Sequence, residues 1–309
     1  MTGAVPPAKP LLTQSLIGAL SGVQIIRDLS TLYRTLAGFR AAGETVAMVP
    51  TMGALHEGHL SLVHAGKARA DKVVVSIFVN PTQFGPNEDF DAYPRTEEAD
   101  AALLRAEDVA ILWAPTVREM YPAGFATSVR VSGVSEHLDG AARPGHFDGV
   151  ATVVSKLLGQ VRPDIALFGE KDYQQLAVIR RLVTDLNLQV EIVGVPTARA
   201  EDGLALSSRN AYLNPQERAA ALALPRALQA AAAQLMDGAA VAPVLGQALR
   251  TLTDAGFSQV DYVALCDADS LDSLESLDRP ARLLAAARIG LGRSDNFTTR
   301  LIDNIAVDP

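Results

Sequence analysis

The chain has very little cysteine and no long apolar run, and both absences exclude classes of protein. Its single cysteine, Cys266, cannot form an intrachain disulfide or a cysteine-rich metal site. Because Cys266 lies in an apolar run, we predict a buried thiol and a protein of the reducing cytoplasm. No stretch reaches the ~18–20 uninterrupted apolar residues of a transmembrane helix. We therefore predict no contact with a membrane.

Two nucleotide and hydrolase motifs are also missing, and the charge excludes a further class. The sequence contains no G-x-x-x-x-G-K-[ST] phosphate loop and no G-x-S-x-G nucleophile elbow. A net charge of −8 argues against a nucleic-acid-binding surface, which needs basic patches or stripes. A small anionic ligand can still bind where a few His, Lys and Arg side chains cluster. The 309 residues are enough for two ordinary globular domains.

Short β-branched runs alternate with helical patterns over residues 23–197. This alternation predicts a Rossmann-like α/β domain with a parallel sheet. The predicted strands are 45–49, 72–79, 109–113, 165–168 and 190–195, and the predicted helices are 28–42, 60–70, 96–107, 146–160 and 173–186. We expect residues 1–22 to be a loosely ordered N-terminal extension.

From residue 198 to residue 309 the pattern is that of a second, smaller α+β domain. Ala-rich helices are predicted at 216–235 and 241–255, with a break or kink at Pro225 because proline cannot continue the hydrogen-bond ladder of a helix. Three strand-like runs follow at 260–266, 282–289 and 299–307.

The most informative segment places two histidines directly after the first predicted strand. In open α/β sheets, ligands bind at the carboxyl ends of strands, where helix N-termini offer free N–H groups to anions. Imidazoles at this position predict a nucleotide phosphate site, although a solvated turn with incidental histidines is the alternative. A zinc-protease helix would need H-E-x-x-H, and the spacing here is shorter. The segment comprises Met52, Gly53, Ala54, Leu55, His56, Glu57, Gly58 and His59.

A second segment, Gly169 to Asp172, again joins a strand to a helix. Gly169 allows backbone N–H groups to approach a ligand closely, and Lys171 supplies a point charge suited to phosphate. The alternative is a surface network in which Glu170 and Asp172 pair with Lys171.

A third segment lies at the predicted domain junction. The hydroxyls of Ser207 and Ser208 beside the guanidinium of Arg209 form a suitable cradle for phosphate oxygens. The alternative is a polar turn or a helix cap.

Neutral and acidic side chains predict contacts of another kind. Asn80 and Gln83 suit a substrate that carries hydroxyl or carboxylate groups, although turn chemistry also explains Asn-Pro. Asp100 lies in an acidic first helical turn, which the helix dipole favours, and is also a candidate ligand for Mg²⁺. His146 opens a long helix, where it is either structural or within reach of a ligand.

Together these segments resemble the pantoate–β-alanine ligase (pantothenate synthetase) family, nearly from end to end. The matching stretches are residues 50–59, 77–84, 91–96, 143–147, 169–175 and 206–210. The H-x-G-H motif alone marks a wider nucleotidyltransferase group that includes class I aminoacyl-tRNA synthetases. The resemblance implies a reaction in two steps. Pantoate and ATP form pantoyl adenylate and pyrophosphate, and β-alanine then displaces AMP to give pantothenate.

The resemblance also implies roles for individual residues. His59 corresponds to a proton donor that assists the departing phosphate, and we expect His56 to hold phosphate. Gln83 and Gln175 correspond to pantoate-binding glutamines. The implied ATP contacts are Met52 to His59, Gly169 to Asp172, Ala198, Leu206, Ser207, Ser208 and Arg209. We expect Mg²⁺ with ATP, a cytoplasmic homodimer and a C-terminal domain that acts as a lid.

Two departures and two competing functions accompany this interpretation. Leu206 stands where many relatives have Met, and Ala99 stands where some relatives carry a carboxylate next to Asp100.

A cytidylyl- or adenylyltransferase that releases a nucleotide-linked product is one competing function, and the neutral glutamines argue against it. A non-catalytic nucleotide sensor is the other, and the retention of both histidines with Lys171 and Arg209 argues against it.

Overall fold

The computed structural model describes residues 22–86, 88–291 and 298–309. The expected extension, residues 1–22, lies outside the described residues except for its last position. The strands of the first domain are β1 (Gln24–Ile26), β2 (Val46–Thr51), β3 (Lys72–Ile77), β4 (Ile111–Trp113), β5 (Ile165–Gly169) and β6 (Glu191–Val195). Its helices are α1 (Leu29–Ala41), α2 (Glu57–Lys67), α3 (Glu97–Ala106), α4 (Val117–Met120), α5 (Asp139–Ala142), α6 (His146–Val161) and α7 (Tyr173–Asp185).

These strands form one parallel sheet in the order β1-β4-β3-β2-β5-β6. Alternate residues of β2 face opposite sides: Val46 and Met48 pack with α1, α6 and α7, whereas Ala47 and Val49 pack with α2 and α3. A sheet covered on both faces needs strands that are apolar throughout, which explains their near-continuous hydrophobic sequence. The strand order reverses at β2, which pairs with both β3 and β5. A ligand crevice is therefore expected where β2 and β5 end.

The second domain contains an antiparallel sheet packed against helices. Its elements are α8 (Pro215–Ala220), α9 (Ala223–Met236), α10 (Val241–Asp254), β7 (Phe257–Asp267), β8 (Ala281–Ile289) and β9 (Thr299–Val307), with sheet order β7-β8-β9. Leu228, Leu252 and Leu283 belong to the apolar core between these helices and the sheet. The structure thus confirms a Rossmann-like domain with a smaller α+β domain, while the boundary at residue 197 stays a prediction. Among the described residues, no helix has the length and apolar character needed to span a bilayer.

The predicted position of the break or kink, Pro225, is wrong. The predicted helix 216–235 is two helices, α8 and α9, and the break between them lies at Ala221 and Leu222. Pro225 is in the first turn of α9, where backbone N–H groups have no partner within the helix, so its missing N–H costs little. The helix predicted at 60–70 begins three residues earlier because His56 is its N-cap. The short β1, α4 and α5 were not predicted.

Candidate functional site

A sharp turn after β2 brings the chain to the start of α2. Gly53 and Ala54 have φ angles of 85° and 50°, which place both in the left-handed region. Behind the turn, Asp100 of α3 is 2% exposed. Its carboxylate oxygens accept the N–H groups of Ala54 at 2.9 Å and Leu55 at 2.8 Å. Asp100 therefore holds the turn in its conformation.

These contacts give Asp100 a structural role, and its assignment as a metal ligand stays a prediction. Both carboxylate oxygens already accept backbone N–H groups, and Thr96 Oγ1 donates to Oδ1 at 3.2 Å. The residue lines neither of the two cavities described below. Within the described ranges, no group of three His, Cys, Asp or Glu side chains is arranged to hold a metal ion. The residues present thus do not fit a metal site built by the protein itself.

The two histidines of the turn are oriented by backbone N–H groups. His56 Nδ1 accepts the N–H of Gly58 at 3.1 Å, and His59 Nδ1 accepts the N–H of His56 at 3.3 Å. The ring centroids lie 4.2 Å apart. Because Nδ1 is an acceptor in both rings, each neutral imidazole carries its proton on Nε2. The site therefore offers two adjacent Nε2–H donors.

Both imidazoles are neutral at neutral pH. Burial, followed by the charge of Lys171, lowers the pKa of His56 from 6.5 to about 4. Burial, followed by the neighbouring His56 and then Lys171, lowers the pKa of His59 from 6.5 to about 3. An anion bound beside the rings would raise both values, because a negative neighbour favours the protonated form. Without ligand, the histidines are hydrogen-bond donors rather than acids.

We expect the protein to lose stability on mild acidification, because burial also lowers the pKa of His146 to about 4. The unfolded chain binds protons at the three histidines as the pH falls through 6.5, whereas the folded chain binds them only near the values of about 4, 3 and 4. Their contribution to the free energy of unfolding is thus complete above pH 6.5 and declines as the pH falls from there. Denaturant unfolding at about pH 7.5 and about pH 5 measures this decline. The His59→Gln variant should show a smaller difference between the two conditions, and equal differences would contradict the prediction.

The carboxyl end of β5 presents Lys171 next to this turn. Its Nζ atom lies 3.6 Å from Asp172 Oδ2, so a loose internal pair does exist, as the alternative interpretation expected. Ser208 Oγ donates to the carbonyl of Ala54 at 3.0 Å and joins the domain junction to the β2 turn. Ser207 caps the following one-turn helix, since its Oγ accepts the N–H of Arg209 at 3.3 Å. The Ser207–Ser208 pair is thus both a cap and a part of the cleft wall.

Arg209 is paired with a carboxylate that the sequence patterns did not single out. Its Nε and Nη2 atoms donate to the two oxygens of Asp89 at 2.9 and 2.8 Å. This pairing raises the pKa of Arg209 and lowers that of Asp89, although burial opposes both shifts. The guanidinium also lies over the ring of Tyr93, 5.8 Å from its centroid. Arg209 is therefore a fixed, partly neutralised cation at the cleft.

Asn80 and His146 lie behind Gln83 rather than in the cleft. Asn80 is 1% exposed, and its Nδ2 donates to Gln83 Oε1 and to the carbonyl of Gly149, both at 3.1 Å. His146 Nδ1 lies 2.8 Å from the carbonyl of Gln83 and donates to it. Both side chains thus hold Gln83 in place, and the predicted substrate contacts of Asn80 and His146 stay predictions. Gln83 itself faces the cavity, with its Nε2 atom 3.1 Å from Met52 Sδ.

The Gly149→Ala substitution should displace the turn that carries Gln83. A Cβ atom at position 149 would lie 2.4 Å from the carbonyl oxygen of Thr82 and 2.8 Å from the Cα of Gln83, so the backbone must move. We expect KM for the substrate that contacts Gln83 to rise by about tenfold or more, because small displacements of positioning groups carry large kinetic costs. Gly159→Ala on the same helix, where a Cβ meets nothing within 4 Å, is the matched control. Equal KM values for the two variants would contradict the prediction.

A cavity of about 210 Å³ lies at the ends of β2 and β5. Its apolar wall includes Phe78, Val150, Val153, Leu157 and Phe168. The spacing of these residues in the sequence does not distinguish the wall of a cavity from the hydrophobic core. The predicted residues that line it are Met52, His56, Gly58, His59, Gln83, Gly169, Lys171, Asp172, Gln175, Ala198, Leu206, Ser207, Ser208 and Arg209. The predicted residues that do not line it are Gly53, Ala54, Leu55, Glu57, Asn80, Asp100, His146 and Glu170.

A larger cavity of about 480 Å³ continues from the first one into the space between the two domains. Lys171, Asp172, Ser207 and Arg209 line both cavities. The strand β9 supplies part of its opposite wall, including Arg300 and Asp303. Two of the predicted phosphate-binding cations, Lys171 and Arg209, and one predicted hydroxyl, that of Ser207, thus lie at the junction of the two cavities.

Several known proteins that are similar to this chain over more than nine tenths of its length carry the name of one activity. The family model for pantoate-β-alanine ligase matches residues 24–306. Pantothenate synthetase of Rhizorhabdus wittichii is 62% identical over 93% of this chain and 99% of its own length. The crystal structure of pantothenate synthetase from Thermus thermophilus is similar with a TM-score of 0.85 at 47% identity, covering 93% of this chain and 100% of that chain. Pantoate-β-alanine ligase from Francisella tularensis, complexed with β-γ ATP and β-alanine, has a TM-score of 0.76 at 33% identity and covers 92% and 97%.

Proposed function

Because the chain belongs to the pantoate–β-alanine ligase family, we propose that it condenses (R)-pantoate with β-alanine to pantothenate, with pantoyl adenylate as the intermediate. ATP is converted to AMP and pyrophosphate. One observation carries the proposal: the paired imidazoles and Lys171 share a cavity with Gln83 and Gln175 at the ends of β2 and β5. The complex of the Francisella tularensis ligase with β-γ ATP and β-alanine supports ATP and β-alanine as substrates.

In the first step, a carboxylate oxygen of pantoate attacks the α-phosphorus of ATP. A bond between that oxygen and phosphorus forms, and the bond from phosphorus to pyrophosphate breaks. A carboxylate needs no general base at neutral pH, so the rate depends on positioning and on stabilising phosphate charge. The Nε2–H groups of His56 and His59 and the ammonium of Lys171 supply that stabilisation. Bound phosphate favours the protonated form of His59. The ring takes up that proton at Nδ1, where it gives up the bond from the His56 N–H, and can then pass its Nε2 proton to the departing group.

Gln83 and Gln175 bind pantoate in this proposal. The Nε2–H of Gln83 is directed at the thioether sulfur of Met52, and sulfur is a weak acceptor that a substrate oxygen readily replaces. The apolar wall on α6 complements the aliphatic part of pantoate. In the second step, the amine of β-alanine attacks the acyl carbon of the adenylate. AMP leaves with the bonding electron pair, and the nitrogen loses a proton.

Three further elements of the proposal rest on the family and on general chemistry. We propose that ATP enters with Mg²⁺, which prefers substrate phosphates with one or two carboxylates and keeps several waters. The described residues form no metal cage, so no catalytic step is assigned to the ion. We also propose a homodimer in the cytoplasm, for which light scattering should find roughly twice 32.6 kDa. The single cysteine supports a reducing compartment.

The reaction is tested by following AMP and pyrophosphate release from ATP and pantoate, with and without β-alanine. A ligase releases AMP only when β-alanine is present, and omission of pantoate should abolish both products. A nucleotidyltransferase would release pyrophosphate and accumulate a nucleotide-linked product irrespective of β-alanine. A nucleotide sensor would release neither product. Absence of β-alanine-dependent AMP would overturn the ligase proposal.

A further inference from the structure

The turn that presents Lys171 is held in place by the second domain. Asn304 of β9 is 3% exposed and points its amide at this turn. Its Nδ2 atom donates to the carbonyl of Glu170 at 2.9 Å and to the carbonyl of Lys171 at 2.8 Å. Two carbonyl acceptors require the nitrogen on this side, which settles the orientation of the amide. These two hydrogen bonds fix the backbone on both sides of the Lys171 Cα atom.

The position of Asn304 is itself fixed by an ion pair next to it in the strand. Arg199 donates from Nη1 and Nη2 to the two oxygens of Asp303 at 2.7 and 2.8 Å. Asp303 Oδ1 also accepts the N–H of Asn304 at 2.8 Å, and Arg199 Nη2 donates to the Asn304 carbonyl at 3.3 Å. The side chain of Asn304 thus projects from a rigid base that does not involve the turn.

The other polar atom of Asn304 indicates what the residue is there to do. Its Oδ1 atom is buried without a hydrogen-bond partner among the described residues. Buried polar atoms are nearly always paired, so an unpaired oxygen is an unfavourable feature that needs an explanation. The two bonds from Nδ2 to the turn are the compensating contacts. An apolar residue would pack here without an unpaired oxygen but could not donate hydrogen bonds to the two carbonyls.

We propose that Asn304 is a positioning residue for adenylate formation, acting through Lys171 without touching substrate. The inference rests on the proposed role of Lys171 as a phosphate contact. The ammonium sits on a flexible four-carbon stem, and its pairing with Asp172 at 3.6 Å is too loose to fix it. A fixed backbone therefore limits where the charge can reach. Arg282 of β8 adds a second grip on the same turn, since its Nη2 lies 2.7 Å from Glu170 Oε2.

The test compares Asn304→Leu with Tyr262→Phe by pantoate-dependent exchange of pyrophosphate into ATP. Tyr262 is the matched control because its hydroxyl also makes a contact between the domains, and it donates at 2.9 Å to Asp139 rather than to a carbonyl of the Lys171 turn. We expect Asn304→Leu to raise KM for ATP by about tenfold, as for the loss of two buried hydrogen bonds. KM for β-alanine and the kinetics of Tyr262→Phe should stay within about twofold. Asn304→Ser, which introduces a smaller side chain, is measured beside Asn304→Leu. Unfolding curves show whether each variant is folded.

A double-mutant cycle with Lys171→Met separates a positioning role from a purely structural one. If Asn304 acts through Lys171, the Asn304 substitution should change KM for ATP little once Lys171 is replaced. Additive effects, or a loss of stability with KM for ATP unchanged, would overturn the proposal. Lys171→Met alone should raise KM for ATP; an unchanged value would instead refute the assigned role of Lys171. The two failures are therefore distinguishable.

Discussion

Replacing His59 with alanine is expected to slow adenylate formation by about a hundredfold or more, which is the usual effect of removing a preorganised donor to transition-state charge. His59 lines the cavity, and the N–H of His56 holds its Nδ1 atom, so its Nε2–H is directed away from the backbone. Alanine removes this donor and creates space that water can occupy. We expect the free energy of unfolding to change little, because the ring makes one long hydrogen bond of 3.3 Å to the protein. Single-turnover formation of the adenylate is the measurement.

The matched control for His59→Ala is His64→Ala. His64 lies on the same helix, is more than half exposed and pairs with Glu107 at 2.7 Å on the surface. Its replacement should leave the rate unchanged, and a wild-type rate in His59→Ala would show that the His59 ring is structural. His59→Gln distinguishes the two chemical roles. Glutamine keeps an N–H donor but cannot deliver a proton, so a rate near that of wild type would assign hydrogen bonding, and a rate as low as that of alanine would assign proton transfer.

The architecture was predictable because buried apolar residues recur in the sequence at the spacing of a helix or strand. The parallel strands of the first domain are apolar on both faces, and their predicted bounds differ from the observed ones by two residues or fewer at each end. In the second sheet the last strand was predicted at its observed bounds, whereas the first strand begins three residues earlier than predicted. Short elements such as β1 have too few residues to show a period. The start of α2 was missed because imidazole is an unusual cap.

The site was predictable only to the level of segments. Spacing placed the two histidines, Lys171 and Gln83 at strand ends, and the structure brings them to one cavity. The direction of a side chain within a turn depends on packing from distant elements, so the sequence could not show that Asn80 donates to Gln83 and to the carbonyl of Gly149. Partners that come from far along the chain, such as Asp89 for Arg209 and Asn304 for Lys171, have no local pattern that could reveal them.

Asp100 is a further residue whose contacts could not be read from its local sequence. Its replacement by alanine should have the largest effect on folding. Alanine leaves the partly buried N–H groups of Ala54 and Leu55 without their acceptors, and an unpaired buried donor costs about 1–3 kcal/mol at most. We therefore expect the free energy of unfolding to fall by roughly 2–4 kcal/mol, since the loop can relax in part. Ala54 also occupies the left-handed region, which it keeps only while the surrounding contacts enforce it. Activity should fall as well, because the same turn orients His56 and His59.

The dependence of the Asp100→Ala variant on Mg²⁺ decides between the two interpretations of this carboxylate. A residue that shapes the turn lowers stability and raises KM for ATP, while the Mg²⁺ concentration for half-maximal rate stays the same. A metal ligand would give the opposite pattern: intact stability and a higher requirement for Mg²⁺. Glu98→Ala is the matched control, because Glu98 lies in the same acidic first turn of α3 but is exposed to solvent. Both quantities should be unchanged in that variant, since a surface charge in a helical first turn contributes only about 0.3–1 kcal/mol. The acidic run therefore divides by its contacts: Glu97 pairs with Arg27, Glu98 is exposed at the start of the helix, and the buried Asp100 holds the turn that carries the histidines.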